Sequence, residues 1–365
     1  MEPLARTTAS PVRPDERREH EPWLDWLFQR MFHLMHTIEK DNFDGDRYRN
    51  QSPSTFFVDQ HAAYLSFLVR NASAFYRGRA LLQDDASQSL FDQLVLFRIL
   101  GHLHVRLPYN TPQNRARMDV AETWRVEDTT DGGILGRLAI FLAPGQQQEI
   151  RVKCWKENVA ATFLARQYYF ARDGVQISPR AGDHVVDAGG CFGDTALAFA
   201  DSIGKRGHVY TFDPLPKHCE IMTEAVAMNP HLADRISIFP VGLGSAVTAA
   251  TSRPIDQDRI DPGAAIVEGS VPITSLDALT AQGGIPRVDF IKMDIEGSEL
   301  AALKGAAATL RRWRPRLAIS LYHRPEDLFV IPTWLNELGL GYRLYLDHYS
   351  IHHEETVLYA IADAA

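Results

Sequence analysis

The stretch His184–Thr195 reads H-V-V-D-A-G-G-C-F-G-D-T, and its reading decides the fold. His184–Val186 is a short run of the kind that forms a buried parallel strand. Gly189, Gly190 and Gly193 break it at once, and Asp194-Thr195-Ala196-Leu197-Ala198-Phe199-Ala200 follows with a helical pattern. Strand, glycine turn and helix in that order build a ligand site. Glycine lets backbone approach a ligand closely, and the helix N-terminus offers unpaired N–H groups and a positive dipole. The spacing here is D-x-G-x-x-x-G, from Asp187 through Gly189 to Gly193, rather than the dinucleotide pattern G-x-G-x-x-G.

Outward from that turn, strands and helices alternate, which predicts a mostly parallel sheet with helices on both faces. The expected strands are His208–Phe212, Ile236–Val241, Val288–Met293 and Leu317–Leu321, then Tyr342–Leu346 and Thr356–Ile361. No long helix is expected between the last two, so they should pair antiparallel. The broken segment Thr248–Ser270 reads as a loop or arm over the site. Upstream, helices are expected over Trp23–Ile38, over Phe57–Tyr76, from a Ser87 cap to Gly101, and around Val159–Phe170. His102–Pro108 alternates like a strand with both histidines on one face, and Gly136–Trp155 reads as a hairpin. The expected organisation is a tail over 1–22, a mainly helical N-terminal region over 23–132, and a ligand-binding α/β domain with a leading hairpin over 133–365.

Composition narrows the function classes. The chain has 365 residues, 45% hydrophobic and 23% charged, as in ordinary globular proteins. A formal net charge of −8, with no Lys/Arg block, argues against nucleic acid as partner. No stretch reaches the length of a membrane span. Cys154, Cys191 and Cys219 include no C-x-x-C and fit a reducing cytosol, so a cytoplasmic location is expected. The first twenty residues have no apolar core of a signal peptide.

Asp213 ends the second strand, twenty positions past Gly193, where a carboxylate can accept from both ribose hydroxyls of a bound nucleoside. Asp187 and Asp194 flank the glycine turn and suit a cationic amino acid tail while repelling a pyrophosphate. Lys292 and Asp294 share a face of the fourth strand, so the ammonium can offset burial of the carboxylate.

The D-x-G-x-x-x-G turn resembles the first motif of S-adenosylmethionine-dependent methyltransferases. With it, the string Lys292-Met293-Asp294-Ile295-Glu296-Gly297-Ser298-Glu299 and the segment 322–360 resemble the FkbM-like family of those enzymes, over roughly residues 80–362. The resemblance implies a Rossmann-like class I sheet with its final strand antiparallel. It also implies S-adenosylmethionine as donor, S-adenosylhomocysteine as product, and O-methylation of a sugar, glycan or natural-product hydroxyl. Donor contacts are then expected from Asp187, Gly189, Gly190, Phe192, Gly193, Asp194, Thr195, Asp213, Pro214, Gly242 and Asp294. Glu296, Glu299, Asp327, His348 and Tyr349 are candidate acceptor contacts. His323 is the expected general base, with Asp294 beside it, because a histidine near neutrality can take the proton of an attacking hydroxyl. A divalent ion on Asp294, Glu299, Asp327 and His323 would acidify that hydroxyl directly; sequence spacing does not show whether those groups converge, and a divalent metal is possible but not predicted. The readings kept beside this one are a nicotinamide-dependent oxidoreductase and a non-catalytic module that binds S-adenosylmethionine. The oligomeric state is left open, a homodimer included.

Overall fold

The structure is a computed structural model that describes residues 19–45, 48, 58–129, 135–246, 248–251 and 270–363. It begins with helices α1 (Glu21–Leu34), α2 (Val58–Arg70), α3 (Ala72–Ala80), α4 (Asp85–Leu100) and α5 (Pro112–Thr123). Strands β1 (Arg125–Thr129), β2 (Leu138–Ala143) and β3 (Ile150–Cys154) form an antiparallel sheet. The short helix α6 (Lys156–Val159) continues into a π-helical turn, Ala160–Leu164, and the hairpin β4 (Phe170–Arg172) and β5 (Val175–Ile177) follows.

The α/β part then runs β6 (His184–Ala188), α7 (Asp194–Ile203), β7 (His208–Phe212), α8 (Pro216–Ala227) and β8 (Ile236–Phe239). Three short strands, β9 (Gly242–Leu243), β10 (Thr248–Thr251) and β11 (Ser270–Thr274), make a separate small sheet. Next come α9 (Leu276–Ala281), β12 (Phe290–Met293), α10 (Glu299–Lys304), α11 (Ala307–Trp313), β13 (Arg316–Ser320) and α12 (Asp327–Glu337), and the described chain closes on β14 (Tyr342–His348) and β15 (Thr356–Ala362). The main sheet has seven strands in the order β14-β15-β13-β12-β6-β7-β8. Strands β8, β7, β6, β12 and β13 are parallel, and β15 is antiparallel to both its neighbours. That order reverses direction at β6 and β12, so a crevice opens at their carboxyl ends, where open α/β sheets bind ligands. Strands buried on both faces explain the continuous apolar runs, as in β13, where all five residues are buried.

Several elements differ from the sequence expectation. The segment His102–Pro108 is turn rather than strand. The Asn42 amide donates to the carbonyls of His102 and Val105 at 2.6 and 2.7 Å, and Val105 N–H returns to the Gly101 carbonyl. With those groups satisfied locally, no strand partner is needed. Its histidines are separated: His102 is buried, and His104 Nδ1 meets the Thr37 carbonyl at 2.7 Å. The expected helix over 57–76 is two helices that break at Asn71. The cap of α4 is Asp84, whose carboxylate accepts from Ser87 N–H at 2.6 Å. The polar stretch after Asn110 holds α5 and β1, with Thr111 as cap. The expected helix around Val159–Phe170 shortens to α6 and its π turn, and α12 occupies the connection between β13 and β14. Strand three ends at Phe239, and Gly242 instead pairs with Ile273 in the small sheet. Most of the expected tail and of the Thr248–Ser270 arm lies outside the described residues.

The N-terminal helices share a core with the sheet. Trp23, Leu27, Phe75, Phe91 and Leu94 belong to one buried cluster with Leu344, Leu346 and Leu358. Leu82 bridges to Leu344, and the Ser87 hydroxyl accepts from Leu346 N–H at 2.8 Å, so α4 is seated directly on β14. No helix among the described residues is long and apolar enough to cross a membrane.

Candidate active site

Three strand ends build the crevice, and the turn after β6 is its floor. Gly189 has φ +83, and a Cβ there would lie 1.9 Å from the Asp294 carbonyl oxygen, so both conformation and space demand glycine. Gly193, also left-handed, precedes α7. The turn is tied to both neighbouring strands. Gly189 and Gly190 N–H donate to the Phe212 carbonyl, and Asp294 N–H donates to Ala188 at 3.0 Å.

Beneath this turn lies a closed ionic cluster. Asp187 is 0% exposed; it faces the Lys292 ammonium at 3.1 Å and accepts from the hydroxyls of Thr195 and Thr211 at 2.9 and 3.1 Å. Lys292 also donates to the carbonyls of Ala188 (3.1 Å) and Gly189 (2.6 Å), and its ammonium lies over the Tyr168 ring. Burial works against the ammonium, but the charges of Asp187 and Asp294 outweigh it and hold Lys292 above the ordinary lysine value. Asp194 is buried as well, accepts from the Thr162 hydroxyl, and is pushed up to about 6, chiefly by burial. The two acids expected to face a cationic tail are both buried, and Asp187 is engaged by the lysine and threonines that hold the turn. Phe192 is likewise fully buried, edge-on to Trp155 with centroids 4.9 Å apart.

Asp213, at the end of β7, faces the same turn. Its carboxylate accepts from Cys191 N–H at 3.1 Å, His218 Nδ1 at 2.9 Å and Leu215 N–H at 2.9 Å. The acid is therefore pre-oriented before any ligand arrives. Pro214 follows it, and Gly242 comes close to Pro214, where a Cβ would sit 3.6 Å from the proline ring.

The third strand end carries a second cluster. Asp294 accepts from Tyr168 and Tyr322 hydroxyls, each at 2.9 Å, and His323 Nε2 lies 3.4 Å from its Oδ1. Burial raises this carboxyl, but His323, Lys292 and the two tyrosine hydroxyls outweigh it and leave it below the usual aspartate value. His323 Nδ1 meets Glu299 Oε1 at 2.9 Å, and Nε2 lies 3.5 Å from Glu296 Oε2. Burial would lower the imidazole, but Glu299 first, then Glu296 and Asp294, push it up to about 10. His323 is thus a cation at neutral pH, and the expected free base is corrected: three carboxylates hold its proton in place.

The remaining expected residues scatter. Glu296 is 48% exposed at its side chain, with φ +54, on the rim beside His323. Glu299 is fully buried and accepts from Ile295 N–H at 2.8 Å, so its expected acceptor contact becomes an inward one. Asp327 is buried, accepts from Arg324 N–H at 2.9 Å, and is pushed up to about 7 by burial and then by Glu299. His348 lies inside the last hairpin, bonded to Thr356 at 2.9 Å and held down to about 4 by burial, which removes it from the acceptor contacts. The Tyr349 hydroxyl meets Tyr359 at 2.8 Å, and the Tyr359 hydroxyl accepts from Tyr168 N–H. Sequence reasoning missed Tyr168, Tyr322, His218 and the partnership of Lys292 with Asp187. Tyr322 adjoins His323 and was within reach; the others meet their partners across the fold.

A seven-stranded sheet with this order, a glycine turn after its first parallel strand and an acid at the tip of the next defines the class I methyltransferase fold. Residues 187–344 match the family described as the methyltransferase FkbM domain, which is what this stretch is similar to. The crystal structure of methyltransferase FkbM from Methylobacillus flagellatus KT is 20% identical, with a TM-score of 0.51, and the match covers 81% of this chain and 60% of that one. This chain therefore spans about 60% of that relative's length, and the likeness establishes the fold alone. Aeropyrum pernix fibrillarin, solved with S-adenosyl-L-methionine, is 14% identical over 62% of this chain and 90% of that one, with a TM-score of 0.36. An S-adenosylmethionine-dependent O-methyltransferase from Thermotoga maritima is 10% identical over 62% and 78%, with a TM-score of 0.33. No curated protein matches the chain.

Proposed function

We propose that this chain is an S-adenosylmethionine-dependent O-methyltransferase whose acceptor is a hydroxyl of a sugar, glycan or natural product. The observation that carries the reading is the convergence of three strand ends within one hydrogen-bonded unit. The glycine turn bonds to β7 through Phe212 and to Asp213 through Cys191 N–H, and it bonds to β12 through Asp294 N–H. In this reading Asp213 takes the ribose of the donor and the turn takes its amino acid tail. The acid rim of Asp294 and Glu296 faces the acceptor.

In the proposed reaction, the acceptor oxygen attacks the sulfonium methyl. An O–C bond forms as the C–S bond breaks, and S-adenosylhomocysteine leaves as a neutral thioether. The hydroxyl proton passes to a rim carboxylate and then to water. In-line positioning of the two reactants supplies much of the acceleration. Carboxylates also suit an acceptor rich in hydroxyls, which needs acceptors for its O–H donors. His323, already protonated, acts by orienting Asp294 and Glu299 rather than by taking the proton. The strained backbone at Glu296 fits a residue held for function.

Calorimetry with S-adenosylmethionine, paired with a panel of glycan and natural-product acceptors read by release of S-adenosylhomocysteine, tests the assignment. Saturable donor binding and turnover with a hydroxyl acceptor are expected. Tight binding of a nicotinamide dinucleotide with no affinity for the sulfonium donor would overturn it.

A further inference from the structure

Asp294, Glu299 and His323 each offer a ligand atom, and the three atoms lie within 4.8 Å of one another. A second observation concerns Glu299 alone. It is 0% exposed, and while Oε1 accepts from Ile295 N–H and faces His323, Oε2 is buried with no hydrogen-bond partner. A buried carboxylate oxygen left without a donor is costly, and a bound cation is one thing that repays it. The separations around the imidazole add a third point. Donors bound at about 2.0–2.2 Å to one ion and roughly a right angle or somewhat more apart lie about 2.8–3.6 Å from each other. His323 Nε2 is 3.4 Å from Asp294 Oδ1 and 3.5 Å from Glu296 Oε2, long for hydrogen bonds and suited to ligands that share an ion.

We propose that Asp294, Glu299 and His323 bind one divalent transition-metal ion, which takes the place of an imidazole proton and releases it to water, with Glu296 closing the site from the solvent side. One imidazole nitrogen with carboxylate oxygens suits Mn²⁺ or Fe²⁺ better than Mg²⁺, which prefers an all-oxygen shell. Three protein ligands leave coordination positions open, as catalytic sites do and closed structural sites do not. The supporting shell is present: Tyr168 and Tyr322 hydroxyls donate to Asp294, and Ile295 N–H donates to Glu299. Asp294 retains 21% side-chain exposure and Glu296 48%, which gives an ion a way in. Once bound, the ion would offer its open positions to a hydroxylated ligand and lower the pKa of that hydroxyl. The inference stands on the donor set and not on methyl transfer.

The test titrates the full chain, freed of metal by a chelator, with Mn²⁺ alone, following heat and the paramagnetic signal of free Mn²⁺. One ion per chain is expected, with Mg²⁺ at least about tenfold weaker. Glu299→Gln and His323→Asn should each weaken Mn²⁺ binding about 10–100-fold. Glu224→Gln, a half-exposed partner of Lys153, should leave it unchanged. Circular dichroism checks that the variants fold; if either does not, Asp294→Asn takes its place with the same expectation. Absence of saturable Mn²⁺ binding, or binding unchanged in the folded ligand variants, overturns the site. S-adenosylmethionine binding measured on the same metal-free protein separates this failure from a failure of the methyltransferase reading.

Discussion

Lys292 and Asp294 stand two residues apart at the end of β12, and each anchors a buried ionic cluster, yet the two are built on opposite principles. Around Lys292 the charges are paired: Asp187 faces the ammonium, two backbone carbonyls and two threonine hydroxyls complete the set, and all of its side chains are buried. Around Asp294 the acids outnumber the bases. A cationic His323 lies among Asp294, Glu296 and Glu299, one Glu299 oxygen has no donor, and the set opens to solvent through Glu296. A compensated cluster is scaffold and an under-compensated one is a site, because only the latter still gains by binding something. Tyr168 touches both, with its ring under the Lys292 ammonium and its hydroxyl on Asp294.

The comparison breaks most visibly at the scaffold. Lys292→Met strands a fully buried Asp187 carboxylate and should cost about 3–5 kcal/mol of stability in urea unfolding. Adding Asp187→Asn should recover most of that loss; a double variant no better than the single would show that the pair is not a unit. Next is the contrast between His323 and the histidines of the last hairpin, equally buried but neutral. His348 and His352 are held down to about 4 by burial, below the ordinary histidine value of 6.5. Between those two values the unfolded chain binds protons that the folded chain refuses. Stability is therefore full above about pH 6.5 and falls as pH drops toward 4, by roughly 2–3 kcal/mol per histidine. Urea midpoints at pH 7 and pH 4.5 measure this, and replacing both histidines by glutamine should flatten the difference.

Smaller effects sharpen the functional side. Asp213→Ala removes the pre-oriented acceptor and should weaken S-adenosylmethionine binding about 10–100-fold, equivalent to the roughly 1.5–3 kcal/mol of hydrogen bonds to a charged group. His323→Ala should leave donor affinity within a fewfold of wild type and slow transfer, and unchanged turnover would remove it from the site. The smallest is Glu299→Gln, which keeps an acceptor for Ile295 N–H and removes one of the crowded acids. Its stability should move by no more than about 1 kcal/mol, in contrast to Lys292→Met at the other cluster.

Much of the frame was legible in the residues. Runs such as Leu317–Leu321 and His208–Phe212 announce buried strands, and Gly189 and Gly193 announce the turn between strand and helix. The fine elements were less legible. His102–Pro108 has the alternation of a strand, but local bonds to the Gly101 carbonyl and the Asn42 side chain, sixty residues upstream, hold it as a loop. Asp187 was legible as important but not in its role, since a strand-end acid looks the same whether it faces a ligand or a lysine.

What the sequence determined by itself is therefore the chain's local grammar: strand, glycine turn and helix, acids at successive strand ends, and the Lys292–Glu299 string. These follow from backbone conformation and side-chain periodicity, which act over a few neighbouring residues. The tertiary structure alone decided which acids are spent and which remain available. Lys292 reaches Asp187 from 105 positions away along the chain, and Tyr168 reaches Asp294 from 126 away. Whether a buried carboxylate is neutralised depends on what lies within a few ångströms of it, and that neighbourhood exists only once the strands have paired.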